Sequence, residues 1–203
     1  TGSGKSTFID LLLGLLSPTE GDIILNGIPL RNISIEELSS LVGYVPQDVY
    51  LTDESITKNI ALGIKDEDIN FERVVEASRM AEIHELIIKK FEKGYETSVG
   101  ERGVKLSGGQ VQRIGIARAL YNKASIIILD EGTSNLDQNT EAKIISNISQ
   151  DTNTKLLVMV AHRLKTTQKC DQIILFNNGT IEDIGSYDEL KERNRTFNLM
   201  LNS

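Results

Sequence analysis

The stretch Ser125-Ile126-Ile127-Ile128-Leu129-Asp130-Glu131 decides the fold class of this 203-residue chain. Its four aliphatic residues lie between polar ones, a pattern typical of a strand buried on both faces of a parallel sheet. Residues 155–160 form a second apolar run, and a helical pattern near residues 139–148 separates the two. Strands that alternate with helices predict an α/β fold with a mainly parallel sheet.

The remaining segments follow different periodicities. From about residue 57 to residue 120 the pattern is helical, so we expect an inserted α-helical subdomain at 57–120 within a core of residues 1–56 and 121–203. Residues 5–16 predict a mostly buried helix, and residues 186–201 a polar-faced closing helix. Asn177-Asn178-Gly179 lies between two apolar runs and predicts a β-hairpin.

The segment Gly2-Ser3-Gly4-Lys5-Ser6-Thr7 matches the end of the phosphate-binding pattern G-x-x-x-x-G-K-[ST]. The leading glycine of that pattern would fall before Thr1, so the chain is expected to begin inside the motif. Small residues let backbone N–H groups approach phosphate oxygens at a helix N-terminus. Lys5 is expected to reach the β- and γ-phosphates, and the Ser6 hydroxyl to ligate Mg²⁺. The alternative is a flexible glycine-serine stretch before a helix.

Asp130 and Glu131 directly follow the apolar run of residues 126–129. Ligands of parallel α/β sheets bind at the carboxyl ends of the strands, so both carboxylates are expected on the nucleotide side. Asp130 would hold Mg²⁺ through water, and Glu131 could orient or deprotonate the water that attacks the γ-phosphate. The alternative is that two acidic residues begin a solvated turn.

A second helix start carries glycines in Leu106-Ser107-Gly108-Gly109-Gln110. Ser107 is a good N-cap, and the two glycines expose N–H groups at the N-terminus of the following helix. The stretch therefore predicts a second anion-binding helix terminus, with an ordinary helix cap as the alternative.

Composition excludes several classes of protein. The 22 Lys and Arg residues against 29 Asp and Glu give a net charge of −7, which argues against a general nucleic-acid binder and a polybasic membrane-surface protein. The single cysteine, Cys170, excludes an intramolecular disulfide and a cysteine zinc cluster. No apolar run approaches the roughly 18 residues needed to cross a bilayer.

The motifs at residues 2–7, 106–110 and 130–131 occur in the order found in ATP-binding cassette (ABC) ATPases. The chain resembles the nucleotide-binding domain of an ABC transporter over essentially its whole length, which implies a P-loop NTPase fold with a RecA-like core and an inserted helical signature subdomain. Residues 1–7 resemble the end of Walker A, and Gln47 resembles the Q-loop glutamine. Residues 106–110 resemble the family signature and residues 126–131 resemble Walker B. Ser134-Asn135-Leu136-Asp137 resembles the D-loop, and Ala161-His162-Arg163 the switch histidine.

The resemblance implies ATP as the nucleotide, Mg²⁺ as the metal and an ATPase activity. It implies Glu131, His162 and Gln47 as catalytic residues, and Ser6, Gln47 and Asp130 as metal ligands. The nucleotide-binding set that it implies is Gly2, Ser3, Gly4, Lys5, Ser6, Thr7, Gln47, Asp130, Ser107, Gly108, Gly109 and Gln110.

The loop Val99-Gly100-Glu101-Arg102-Gly103 is similar to one that marks exporters in this family, where it touches the transmembrane coupling helices. The alternative is a solvated glycine turn. Within the exporters, residues 41–60 and 161–171 resemble flippases of lipid-linked glycans. The resemblance implies ATP-driven export or flipping, a second nucleotide-binding domain in a head-to-tail dimer, and transmembrane domains fused upstream. It also implies a place at the cytoplasmic face of a membrane, the bacterial inner membrane, and no nucleic-acid partner.

Two other classes of P-loop protein share some of these motifs. Chromosome-maintenance and repair ATPases share the signature, but they insert long coiled coils or zinc modules where this chain has about a hundred ordinary residues. A P-loop GTPase would carry Asn-Lys-x-Asp, which is absent from the sequence. The family's usual alanines are replaced by Gly132 and Asn135, and Gly132 is expected to loosen the turn after Glu131.

Overall fold

The computed structural model describes residues 3–161 and 164–201, which form two compact units. The central unit contains residues 36–159, and the terminal unit contains residues 1–35 and 160–203. No helix in the described ranges is long and apolar enough to span a bilayer. In chain order the elements are α1 (Lys5–Leu12), β1 (Ile24–Leu25), β2 (Ile28–Pro29), α2 (Ile35–Leu41), β3 (Val42–Val45), α3 (Ile56–Ile60), α4 (Phe71–Met80), α5 (His84–Lys90), α6 (Gly108–Tyr121), β4 (Ile126–Asp130), α7 (Gln138–Gln150), β5 (Leu156–Val160), β6 (Ile173–Asn177), β7 (Thr180–Gly185), α8 (Tyr187–Arg193) and α9 (Arg195–Leu201).

The central unit is built on a three-stranded sheet in the order β3-β4-β5. Strands β3 and β4 are parallel, and their register places Val45 opposite Leu129. Ile127, Ile128 and Leu129 are all buried, as expected for a strand covered on both faces. The predicted α/β class and the parallel sheet are therefore confirmed.

Helix α6 forms the centre of the helical part of this unit. It packs against α3, α4 and β3, and its residues Ile114, Ile116 and Ala117 are fully buried. Val74 of α4 joins the same core. Because α6 is covered on several sides, its few buried polar side chains must find partners inside the protein.

A network of hydrogen bonds surrounds Asn59, a fully buried residue near the end of α3. Its side chain accepts the Thr52 N–H at 3.0 Å and donates to the carbonyls of Thr52 and Ser55 at 3.0 and 3.1 Å. From α6, Arg118 donates to the Asn59 carbonyl at 2.8 Å and to the Tyr50 carbonyl at 2.9 Å. Asn59 thus joins the segment after β3 to both α3 and α6.

The terminal unit contains α1, two antiparallel hairpins and the closing helices. The β6–β7 hairpin turns through Asn178 and Gly179, both with positive φ, as the Asn-Gly pair predicts. Helix α1 ends at Leu12 rather than at residue 16, and Gly14 follows with a φ of 69°. The prediction of a mostly buried helix is also wrong, since only Ile9 is buried and Leu15 is 70% exposed.

The predicted closing helix is two helices. Asn194 separates α8 from α9 because its backbone is extended, with φ −100° and ψ 115°. Its side-chain oxygen accepts the Phe197 N–H at 2.8 Å, which caps the second helix.

Candidate nucleotide-binding and catalytic site

In the terminal unit, the residues before α1 form a loop suited to a phosphate. Gly4 has a φ of 96°, and the Phe8 N–H donates to its carbonyl at 3.0 Å as the first helical hydrogen bond. The N–H groups of Lys5, Ser6 and Thr7 precede that bond, so they have no partner within the helix and are suited to an anion. Ser6 and Thr7 are exposed.

The β6–β7 turn supports this loop from within the same unit. The Gly179 N–H donates to the Ser3 carbonyl at 3.1 Å, and a Cβ added to Gly4 would lie 3.3 Å from the Gly179 Cα. Lys5 Nζ donates to Ser3 Oγ at 2.8 Å, so the ammonium group lies over the loop that it is expected to serve. On the next turn of α1 the Phe8 ring packs against Phe176, with ring centroids 5.4 Å apart.

In the central unit, β3 and β4 end at the same sheet edge. The parallel register brings Val45 opposite Leu129, so the ends of the two strands are neighbours. Asp130 is the last residue of β4, and Gln47 lies two residues after β3. Gln47 is exposed and Asp130 is half-buried. The Tyr44 hydroxyl donates to Asp130 Oδ2 at 3.5 Å. This is the edge at which parallel sheets bind ligands.

Glu131 has an unusual backbone. Its φ is 52°, a left-handed conformation that costs a non-glycine residue about 1–2 kcal/mol. The turn that follows is closed by the Ser134 N–H, which donates to the Glu131 carbonyl at 2.9 Å. Such conformations persist where the surrounding structure holds them, and they are frequent at functional sites.

The turn after Glu131 packs closely against β3 at its glycine. Gly132 is buried, and a Cβ added to it would lie 2.9 Å from the Val45 Cγ1. Gly132 therefore allows a close approach between the turn and β3.

The signature segment caps helix α6. The Ser107 N–H donates to Gln110 Oε1 at 3.0 Å, and the Val111 N–H donates to the Ser107 carbonyl at 3.0 Å. Ser107 and Gly108 are exposed, whereas Gln110 is 5% exposed with its side chain turned into the cap. The exposed glycine at the start of a 14-residue helix is available to an anion.

Two charged residues shape the surroundings of α6. Arg113 donates to the Gly109 carbonyl at 3.2 Å and to the Glu82 carbonyl at 2.7 Å, and burial lowers the pKa of its guanidinium. Asp137 accepts from the Thr140 hydroxyl at 2.6 Å and caps α7, and hydrogen bonds from Thr140 lower the pKa of its carboxyl. Arg113 thus joins α6 to the carbonyl of Glu82, and Asp137 caps the N-terminus of α7.

The two units divide the predicted site residues. Residues 3–7 lie in the terminal unit, whereas Gln47, Asp130, Glu131 and residues 107–110 lie in the central unit. The predicted residues Gly2 and His162 lie outside the described residues.

The sequence reasoning missed two polar side chains that touch this site. Tyr44 contacts Asp130, and Gln112 of α6 contacts the loop after Glu131. The sequence offered little signal for Gln112, because Gln110, Arg113 and Arg118 are also polar residues of the same helix.

The comparison that decides the family rests on most of the chain. The family model described as "ABC transporter" matches residues 1–134, which include every motif through Ser134. The chain belongs to the ABC transporter family. It is accordingly an ATP-binding ATPase domain, as the motif order predicted.

Individual relatives agree with this assignment. The ABC transporter ATP-binding protein YfiB of Bacillus subtilis (strain 168) is 42% identical over 197 residues, covering 97% of this chain and 34% of its own length. The ATP-dependent lipid A-core flippase of Cupriavidus pinatubonensis is 36% identical over 198 residues, covering 97% of this chain and 33% of its own. The chain thus spans about a third of the length of these two relatives.

The fold of the ABC domain is also that of a solved exporter. The structure of a bacterial Atm1-family ABC exporter with ATP bound has a TM-score of 0.90 and 35% sequence identity, covering 98% of this chain and 35% of that one. The α/β P-loop NTPase fold predicted from the motifs is therefore confirmed.

Proposed function

We propose that this ABC domain is the ATP-hydrolysing motor of a membrane exporter. The observation that carries the proposal is the presence of two anion-ready helix N-termini in one chain, at Lys5 of α1 and at Gly108 of α6. A P-loop ATPase that acted alone would need one. Relatives named as an exporter and as a flippase support the transport function.

ATP binding is proposed to depend on the terminal unit. Lys5 and the N–H groups of residues 5–7 would neutralise the phosphates, and the Ser6 hydroxyl is a hard oxygen ligand of the kind that Mg²⁺ prefers. Gln47 and Asp130 offer two further oxygen ligands at one sheet edge of the central unit. A bound Mg²⁺ would neutralise phosphate charge during hydrolysis.

Lys5→Ala tests this binding role. We expect calorimetry with MgATP on the full-length protein to show a large loss of affinity, because the substitution removes the half-buried ammonium group that lies over the phosphate loop. The control is Lys65→Ala, which removes an exposed lysine of the central unit. Equal affinity of Lys5→Ala and wild type would refute the assignment.

Hydrolysis is proposed to use Glu131 as the general base and His162 and Gln47 as further catalytic residues. Glu131→Gln keeps the size of the side chain but cannot accept the proton of the attacking water. We expect turnover to fall by about 10²–10⁴ with MgATP binding retained. Glu85→Gln, at an exposed carboxylate paired with Lys89 on α5, is the control. Full turnover of Glu131→Gln would move the general-base role elsewhere.

The signature is proposed to act in trans. In a head-to-tail dimer with two-fold symmetry, Ser107, Gly108 and Gly109 of one domain would close over the ATP bound by the other, with Gln110 supporting the helix cap. ATP would then favour the dimer and ADP would not. Residues 57–120 would be the helical subdomain that carries this signature.

A mixing experiment tests the trans arrangement. Lys5→Ala and Ser107→Arg in the full-length protein should each be nearly inactive as homodimers. A mixed dimer places both changes in one composite site and leaves the other site intact, so partial ATPase activity should return on mixing. Absence of recovery after subunit exchange has been demonstrated would argue against the arrangement.

The partners of this domain are proposed from its relatives. We infer transmembrane domains in the same polypeptide, a place at the cytoplasmic face of the membrane, and no nucleic-acid partner. The loop at residues 99–103 would contact the transmembrane part, and the neighbouring Val104, 79% exposed, offers it an apolar side chain. Val104→Ser should lower the amount of substrate transported per ATP hydrolysed and leave the affinity for MgATP unchanged.

A further inference from the structure

Gln112 is a buried amide whose hydrogen bonds all reach the loop that follows the proposed general base. It lies on α6, in the second turn after Gly108, and is 2% exposed. Its Nε2 donates to Ser134 Oγ at 3.0 Å, and its Oε1 accepts the Asn135 N–H at 2.9 Å. A longer contact of 3.5 Å joins Nε2 to the Glu131 carbonyl oxygen.

These contacts fix the turn on both of its sides. The Ser134 N–H closes the turn onto the Glu131 carbonyl at 2.9 Å, and Gln112 then bonds to Ser134 and Asn135 beyond it. The backbone of Glu131 has a φ of 52°. It would relax from this left-handed conformation if these hydrogen bonds did not hold the turn. A buried amide with both ends paired is costly to rearrange, because any new position leaves a donor or acceptor unpaired.

The same loop also lies against the signature. A Cβ added to Gly109 would lie 3.1 Å from the Asn135 carbonyl oxygen, and one added to Gly108 would lie 3.6 Å from the Asn135 side chain. The N-terminus of α6 and the D-loop are therefore in direct contact, and Gln112 joins them a turn further along the helix.

We propose that Gln112 is a positioning residue that couples the signature end of α6 to the orientation of Glu131. When an anion binds at Ser107 and Gly108, α6 and the loop after Glu131 respond as one body because Gln112 bonds them together. The carboxylate of Glu131 is thereby held in its working direction when the composite site closes. This inference rests on the general-base role proposed for Glu131.

The test is Gln112→Glu in the full-length protein. The carboxylate still accepts the Asn135 N–H, and the Ser134 hydroxyl can rotate to donate to it. The Glu131 carbonyl keeps the Ser134 N–H but faces an anion where it had the amide of Gln112 at 3.5 Å. We expect kcat to fall roughly 10-fold with the KM for MgATP unchanged. A rise in the transition-state barrier equal to the contribution of one hydrogen bond slows the reaction by about that factor. A smaller fraction of folded protein would also lower the apparent kcat at an unchanged KM, so kcat is expressed per MgATP-binding site, counted by calorimetry.

The matched control is Gln150→Glu. Gln150 is exposed on α7 and also donates to a serine, Ser146 Oγ, at 2.9 Å. The same chemical change outside the proposed coupling should leave kcat and KM as in wild type. If Gln112→Glu does not fold, Ser134→Ala at an exposed position removes one anchor and should lower kcat in the same sense.

A double-mutant cycle separates positioning from packing. If Gln112 acts through Glu131, then Gln112→Glu added to Glu131→Gln should lower single-turnover hydrolysis by less than 2-fold further, because the base is already absent. A full 10-fold loss in both backgrounds, or an unchanged kcat in Gln112→Glu, would overturn the inference. Full turnover of Glu131→Gln alone would instead overturn the proposed base, so the two failures are distinguishable.

Discussion

The structure allows us to estimate how much Gly132→Ala changes the stability of the domain. The added Cβ would lie 2.9 Å from Val45 Cγ1 and 3.3 Å from Val45 Cβ, and Val45 is fully buried in β3. A β-branched side chain in a strand has little freedom to rotate away, so the turn or the strand must shift. Overpacking of this kind costs about 1–3 kcal/mol.

An opposing effect reduces the cost. Gly132 does not have a positive φ, so alanine meets no backbone strain there and stabilises by about 0.4–1 kcal/mol through the unfolded chain. The balance is a destabilisation of about 1–2 kcal/mol.

Urea unfolding of the purified ABC domain measures the effect, with Gly108→Ala as control, since a Cβ there lies no closer than 3.6 Å to any other side chain or distant backbone atom. Val45→Ala alone should cost about 2–3 kcal/mol, and the double variant should be more stable than additivity predicts by about 1 kcal/mol. A Gly132→Ala variant as stable as wild type would refute the steric argument. A strictly additive cycle would show that Val45 is not the residue in conflict.

Two further predictions concern buried and capping polar groups. Asn59→Leu should destabilise the domain by about 2–4 kcal/mol in urea unfolding, because the Thr52 N–H and part of the Arg118 guanidinium would be buried without a partner. Asp137 has a pKa lowered by hydrogen bonds from Thr140, so its stabilising effect is complete above about pH 4 and is lost as the pH falls through the lowered value. Asp137→Asn should therefore flatten the pH dependence of the urea midpoint at low pH, and an unchanged profile would contradict this.

The parts of the fold that follow local rules were predictable from the sequence. The β4 strand is apolar on both faces, and the Asn178-Gly179 turn requires the positive φ values that it adopts. Errors arose where a single residue ends a helix inside an apolar or polar run. Gly14 follows the end of α1, and Asn194 separates α8 from α9 through a side-chain cap that periodicity cannot reveal.

The candidate site was predictable as a set of motifs but not as a set of contacts. Residue types and spacing pointed to Lys5, Glu131 and the signature. They did not show that Gln112 bonds to the loop after Glu131, because that contact joins residues distant in the chain through a particular helix packing. The close fit of Gly132 against Val45 is likewise a tertiary fact.

Glu131 is thus held by several independent constraints, all of which belong to the central unit. Strand β4 fixes the residue before it, Gly132 lets the turn approach Val45, and Gln112 holds the far side of the turn. A left-handed glutamate costs about 1–2 kcal/mol, so loss of any one constraint favours relaxation of the loop. Since the proposed phosphate contacts lie in residues 3–7 of the terminal unit, changes around Glu131 should lower kcat, whereas changes in residues 3–7 should weaken MgATP binding.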